Sequence, residues 1–261
     1  MTIIAISVVY YIVTIAYNRK NIKRFKMILY LLLLLPVLVF VLMLLPELIQ
    51  FKKSTYKEAS GNNYLRTYFN KGNYGEYLTY KYLEKLDCYK KILTNIYLPK
   101  EDGSTTEVDL VMLCQKGIFV FESKNYSGWI YGGENQRYWT QTFKTGQKEK
   151  FFNPIWQNKA HIAALLKTLN ILDKDFIKSY IVFSERCELK NIEVKSLNVK
   201  VIKRNILKNE IQHDFLILKE VLSVEKINSM YEQLKIYCNC DLAVKAKHIE
   251  DIQNRNNIIK K

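Results

Sequence analysis

The chain has 261 residues, with 40 Lys and Arg against 25 Asp and Glu, for a formal charge of +15. At 49% hydrophobic and 13% aromatic it is too apolar for a disordered chain, and nine glycines and four prolines exclude collagen-like and low-complexity classes. The length allows one domain, or one with appendages, and no repeat of solenoid period is visible.

The N-terminus is written for a different solvent from the rest. Ile3 to Tyr17 is an apolar run softened by Ser7 and Thr14. It has neither the charged start nor the small-residue cleavage site of a signal peptide, so it reads as a membrane helix over about residues 3–17. Met27 to Leu45 is uncharged throughout. As a helix it would be roughly 28 Å long, matching the hydrocarbon core of a bilayer, and Pro36 is tolerable in such a helix. Between the two runs, Arg19, Lys20, Lys23, Arg24 and Lys26 form a basic loop. The expectation is one or two transmembrane helices, with two favoured, making an integral, multi-pass membrane protein. The basic loop argues for its own placement on the cytoplasmic side. Lys52, Lys53 and Lys57 pull the other way, so the side of residues 46–261 is left open.

Residues 1–57 hold +7 of the charge, which leaves +8 for the remainder. A moderately basic soluble part fits an anionic partner, either nucleic acid or a lipid headgroup surface. Of the five cysteines, Cys88, Cys114, Cys187, Cys238 and Cys240, none has disulfide-framework spacing, and Cys238-x-Cys240 is too tight for the usual zinc pair.

Ser54 to Asn73 is polar and reads as linker. Tyr74, Leu78, Tyr82 and Leu86 recur at helical spacing, which predicts a helix over 74–86. Lys91–Leu98 reads as a strand, followed by a turn at 99–103. Glu107–Cys114 and Gly117–Lys124 are apolar runs separated by Gln115 and Lys116, a hairpin. Trp129–Tyr131 reads as a short strand, and 137–150 is polar and unassigned. Pro154 suits the first turn of a helix running to about Leu172. Ser179–Phe183 and Val199–Ile202 read as strands, and 204–219 and 224–237 as helices. Interleaved strands and helices make the fold class α/β.

The hairpin carries the chemistry. Side chains alternate across a strand, so Glu107 and Asp109 share a face, as do Glu122 and Lys124. A two-residue loop at Gln115-Lys116 pairs Asp109 with Glu122, and a loop at Lys116-Gly117 pairs it with Lys124. Either register gathers all three, whereas a three-residue loop would put Asp109 on the opposite face. Glu-x-Lys alone reads as a surface ion pair. With Asp109 added, two carboxylates and a lysine at the ends of apolar strands suit Mg²⁺ and the hydrolysis of a phosphodiester. The aromatics Trp129, Tyr131, Tyr138 and Trp139, interspersed with Lys124, Arg137 and Lys144, read either as core or as a base-stacking surface beside a basic groove.

Gly75-Glu76, Thr106–Asp109, Gly117–Asn125 (GIFVFESKN) and Asn153–Asn158 (NPIWQN), in that order and spacing, resemble the nuclease-related domain (NERD) family of the PD-(D/E)xK nuclease superfamily. The resemblance implies a restriction-endonuclease-like core, a central mixed sheet flanked by helices, over residues 70–185. That leaves an N-terminal membrane anchor over 1–50, a linker over 51–69 and an α/β extension over 186–261. It further implies catalytic roles for Asp109, Glu122, Lys124, Glu76 and Gln157. Asp109, Glu122 and Glu76 would be ligands of Mg²⁺ (or Mn²⁺), and the substrate would be DNA. Val108 stands where the superfamily has proline, and Ser123, the residue between Glu122 and Lys124, points to the other face. Read from the residues alone, Glu76 could equally be a helix-start carboxylate, Gln157 a polar first-turn residue, and His161, on the face of Gln157, a packing or hydrogen-bonding group rather than a base. The expected function is therefore a membrane-anchored nuclease, with a non-catalytic module that tethers nucleic acid or protein at the membrane as the alternative.

Overall fold

A computed structural model describes residues 2–100 and 102–238, and the chain divides into two units after Lys53. The first unit is a single helix, α1 (Thr2–Lys53), with Pro36 and Pro46 inside it. The turn expected at residues 18–26 is absent. That segment holds Lys, Arg and Asn but no glycine or proline, so nothing in it stops a helix entering from either side. Over Asn21–Lys53 the helix is long and apolar enough to cross a membrane, with a mean hydropathy of 3.2 and none of that window buried. Among the described residues this is the one helix of that kind, where one or two were expected; a multi-pass arrangement is not supported.

The second unit begins where a linker was expected. Two short helices, α2 (Tyr56–Ser60) and α3 (Tyr64–Phe69), lead into α4 (Lys71–Glu84). Asn63 and Asn70 accept the hydrogen bonds that start α3 and α4, so the asparagines that suggest a linker are helix caps. Tyr56, Ser60 and Thr67 are buried.

The main sheet has the order β1-β2-β3-β7-β9, comprising β1 (Lys90–Pro99), β2 (Thr105–Cys114), β3 (Gly117–Lys124), β7 (Ile177–Phe183) and β9 (Val199–Lys203). Its first two pairings are antiparallel and its last two parallel, so the sheet is mixed. A parallel step needs a crossover, and α5 (Pro154–Thr168) supplies the one between β3 and β7. Val111, Leu113, Ile118 and Val120 of the sheet form one core with Leu165 and Leu166 of α5 and with Ile227, Met230 and Leu234 of α7 (Val224–Lys235). The described part of the segment after residue 185 supplies β9, α6 (Leu207–Ile217), α7 and a strand of a second sheet, and β9 covers the edge that the apolar strand β7 would otherwise leave open.

That second sheet has the order β6-β5-β4-β8, comprising β4 (Gly128–Gly133), β5 (Tyr138–Thr142), β6 (Lys148–Phe152) and β8 (Cys187–Glu193). β5 and the first three residues of β6 fall in the unassigned stretch 137–150. Only one face of this sheet is covered, so its strands lack the apolar run that betrays a buried strand. Ile130 and Trp139 on the covered face pack with Ile181 and Phe183 of the main sheet. Gly132 permits this, since a Cβ there would lie 2.2 Å from the Trp139 ring.

Asn153 fastens the second sheet to α5. Its Oδ1 accepts from the Ile155 N–H at 2.9 Å, and its Nδ2 donates to the carbonyls of Gly133, Glu134 and Gln136 at 3.2, 3.0 and 2.7 Å. The side chain is fully buried. Replacing it with Ala removes a helix cap and strands buried carbonyls, an expected loss of about 2–3 kcal/mol. Asn153→Asp keeps the cap but turns a carboxylate toward three carbonyls, and urea denaturation should find it no more stable than Asn153→Ala.

Candidate active site

The hairpin adopts the two-residue loop. Its ladder runs from Cys114↔Gly117 to Leu110↔Phe121, and one further step sets Asp109 across from Glu122. Gly117 sits at φ +127°, where a Cβ would lie 2.2 Å from the Phe176 carbonyl oxygen, so glycine fixes this register. Instead of continuing the backbone ladder, Asp109 Oδ2 accepts from the Ser123 N–H at 2.9 Å. On the other side of β2, Asn95 lies at φ +52°, between the pairs Thr94↔Leu110 and Ile96↔Val108. A non-glycine residue in that region marks local strain, which asparagine tolerates better than most, and it falls opposite Asp109.

Glu122 is buried, with both carboxylate oxygens engaged. Oε1 accepts from Lys124 Nζ at 2.6 Å, and Oε2 meets His161 Nε2 at 3.0 Å. His161 Nδ1 lies 2.8 Å from Thr106 Oγ1. The two ring nitrogens bridge Glu122 of β3 and Thr106 of β2. His161 thus serves as a hydrogen-bond partner between the two strands. Burial alone would raise the Glu122 carboxyl, but Lys124 and His161 outweigh it and hold Glu122 below the usual carboxylate range. Burial opposes the charge on Lys124, and Glu122 more than offsets that, so the ammonium is held well above its ordinary value. Lys124 Nζ also donates to Gln157 Oε1 at 3.0 Å, from the first turn of α5. Two of its three N–H donors are therefore directed, and one is left over.

The remaining carboxylates are in the opposite state. Asp109 is raised well above its usual range by burial and then by the charges of Glu122 and Glu76. Glu76, on α4, is pushed up to about 8 by burial and then by Glu107 and Glu122, with a hydrogen bond from Tyr56 working against this. Its Oε2 is buried and has no hydrogen-bond partner. Hard oxygen donors of this kind, crowded and short of positive charge, fit a divalent cation such as Mg²⁺. Among the described residues, however, no group of three or more His, Cys, Asp or Glu side chains converges on a shared ion position.

Of the five residues expected at the site, Glu122, Lys124 and Gln157 are joined by hydrogen bonds, Asp109 stands across from Glu122, and Glu76 is near enough for its charge to raise Asp109; the structure adds others. Tyr56 comes from the supposed linker; no periodicity marks it. Thr106 stands three residues before Asp109. Behind β3, Thr79 Oγ1 lies 3.1 Å from Ser123 Oγ and 3.2 Å from Nε of the fully buried Arg204, whose Nη1 pairs with Glu185 at 3.1 Å. Arg204 was read as the start of a helix, and its partner Thr79 lies 125 residues away, a separation that leaves no mark in sequence.

The nuclease-related domain family matches residues 71–184, a span that holds Glu76, Asp109, Glu122, Lys124 and Gln157. The chain belongs to that family. An uncharacterised protein of Bacillus anthracis is 31% identical over 188 residues, covering 71% of this chain and 85% of its own length. No solved structure matches.

The raised Glu76 carboxyl sets a pH dependence. In the folded, metal-free protein it holds its proton up to about pH 8, whereas its ordinary value is 4.5. Between these values the folded state binds the extra proton, so stability is greatest at the acid end of the window and falls as pH rises through it. Thermal melts in EDTA should show the midpoint dropping from pH 5 to pH 8, and Glu76→Gln should flatten that slope.

Proposed function

We propose that this protein is a membrane-anchored, divalent-metal-dependent nuclease that hydrolyses phosphodiester bonds of DNA. The carrying observation is the pairing of opposite electrostatic states at one place. A fixed, charged Glu122–Lys124 pair stands beside Asp109 and Glu76, two carboxyls that are short of positive charge. Asp109, Glu122 and Glu76, which among the described residues do not converge on one ion position, would have to draw together to hold Mg²⁺ or Mn²⁺. When bound, the ion supplies a lowered pKa for a coordinated water and neutralises charge on the phosphate. Lys124, held by Glu122 and Gln157, has one N–H left to orient the attacking water or to meet the charge growing on the phosphate oxygens. His161 and Thr106 keep the Glu122 carboxylate turned toward Lys124. The basic soluble part attracts the DNA backbone, and α1 supplies the membrane anchor.

The second reading, a binding module without turnover, is favoured by one observation. Glu122 already gives both oxygens to Lys124 and His161, so it would have to share one with the ion.

Asp109→Asn separates the two readings. The amide keeps an acceptor for the Ser123 N–H and cannot ionise in a crowded, buried site, so the fold should be as stable as the parent or more so. Labelled DNA incubated with the full chain in detergent and Mg²⁺ or Mn²⁺ should be cut by the parent and left intact by Asp109→Asn. Cleavage retained in that variant sinks the assignment. Lys124→Ala should also be inactive, but it strands a buried carboxylate and is expected to lose about 3–5 kcal/mol of stability, so its melting point must accompany its activity. Mg²⁺ should raise the parent melting midpoint more at pH 8 than at pH 5.5, since protons compete for Glu76 and Asp109.

A further inference from the structure

The second sheet has one covered face and one open face. Strand alternation sends Ile130 and Trp139 inward, where both are fully buried, and turns Trp129, Tyr131, Tyr138 and Phe152 outward. Trp129, Tyr131 and Phe152 are 42%, 38% and 42% exposed, a large aromatic area for a soluble face. The rings form a series. Tyr138 pairs with Phe152 across β5 and β6 with centroids 6.3 Å apart, and Phe152 lies 6.2 Å from Trp156 on α5. Trp156 is fixed by its Nε1 donating to the Glu134 carbonyl at 2.7 Å, and the Arg137 guanidinium lies 5.5 Å from the Tyr138 ring centre. On the same face, Lys148 and Lys150 of β6 are exposed. Glu188 of β8 is already paired with Lys190 at 2.9 Å, so the excess charge of the face is positive. The series ends beside the candidate site, since Trp156 precedes Gln157, the acceptor of the Lys124 ammonium.

We propose that this face binds single-stranded nucleic acid, with bases stacking on Tyr138, Phe152 and Trp156 and the backbone following Arg137, Lys148 and Lys150. Stacking needs unpaired bases, because in a duplex the ring faces are already covered, and rings interleaved with cations are how sequence-tolerant single-strand platforms are built. The proposal names the form of substrate for the cleavage proposed above and rests on that reading for its meaning. Its test does not, because binding requires no metal.

The test is fluorescence anisotropy of a labelled oligothymidylate with the full chain in detergent and EDTA, where no cleavage can occur. The single strand should bind more tightly than a duplex of equal length. Phe152→Ala combined with Tyr138→Ala should weaken it by about tenfold or more, and Phe152→Tyr should bind as the parent does. Should the alanine variant fail to fold, Lys148→Gln with Lys150→Gln should reduce the slope of log affinity against log salt by about 1.4. A duplex preference, or unchanged single-strand affinity in a folded alanine variant, overturns the proposal. So does displacement of the oligonucleotide by vesicles of anionic lipid that bind the parent but not the alanine variant, since the face would then be a membrane-contacting surface. Binding without any cleavage when metal is restored would leave this inference standing and remove the nuclease reading.

Discussion

Glu122 is 1% exposed and keeps its charge, a combination that burial opposes by several kcal/mol unless strong partners intervene. Two do, one to each oxygen. Lys124 comes from the same strand two residues on, and His161 comes from α5. Through them the carboxylate ties together three elements: Thr106 of β2 by way of His161, Gln157 of α5 by way of Lys124, and β3 itself. The position of the ammonium thus follows from the carboxylate. The charge has a second consequence, because it is among the forces that push Asp109 and Glu76 upward. A neutral residue at 122 would release the lysine and relax the other two carboxyls together.

The chain between β3 and α5 is what separates this site from a bare hairpin. A parallel step from β3 to β7 could be made with the helix alone. Here three strands are inserted before it, and β8, which follows β7, closes their sheet. Asn153 joins the two parts at a fully buried position by capping α5 with its oxygen and holding the β4–β5 turn with its nitrogen. The first turn of α5 therefore carries Trp156 toward the open sheet face and Gln157 toward Lys124. The candidate active site and the aromatic face are held by one helix start.

What the sequence reveals follows how local each interaction is. The hairpin, its two-residue loop and the convergence of Asp109, Glu122 and Lys124 depend on spacing within eighteen residues and on alternation, so they can be read directly. So can α4, α5 and the strands of the main sheet, whose apolar patterns are strong. β6 could not be read, because a strand with Lys148, Glu149 and Lys150 in succession matches no alternation. Tyr56 and Arg204 were missed because their value lies in contacts with α4 across long loops. The basic stretch 18–26 misled in the other direction. Its charge suggested a loop between two membrane helices, but charge does not break a helix, and no residue that does is present.

The two kinds of carboxylate also divide the work that a cation would have to do. Glu122 is held below the usual carboxylate range by Lys124 and His161. Glu76 is not: a rise from 4.5 to about 8 amounts to roughly 5 kcal/mol of work against ionisation. At neutral pH a proton and a divalent ion would compete for that group, and the ion prevails only if its attraction to the assembled carboxylates exceeds that work. Asp109, raised for the same reasons, adds to the requirement. If the proposed ion binds here, its loading would be coupled to the release of protons from Glu76 of α4 and Asp109 of β2. The pH dependence of the proposed reaction would accordingly follow Glu76 and Asp109, the two carboxyls that burial and neighbouring charge hold up.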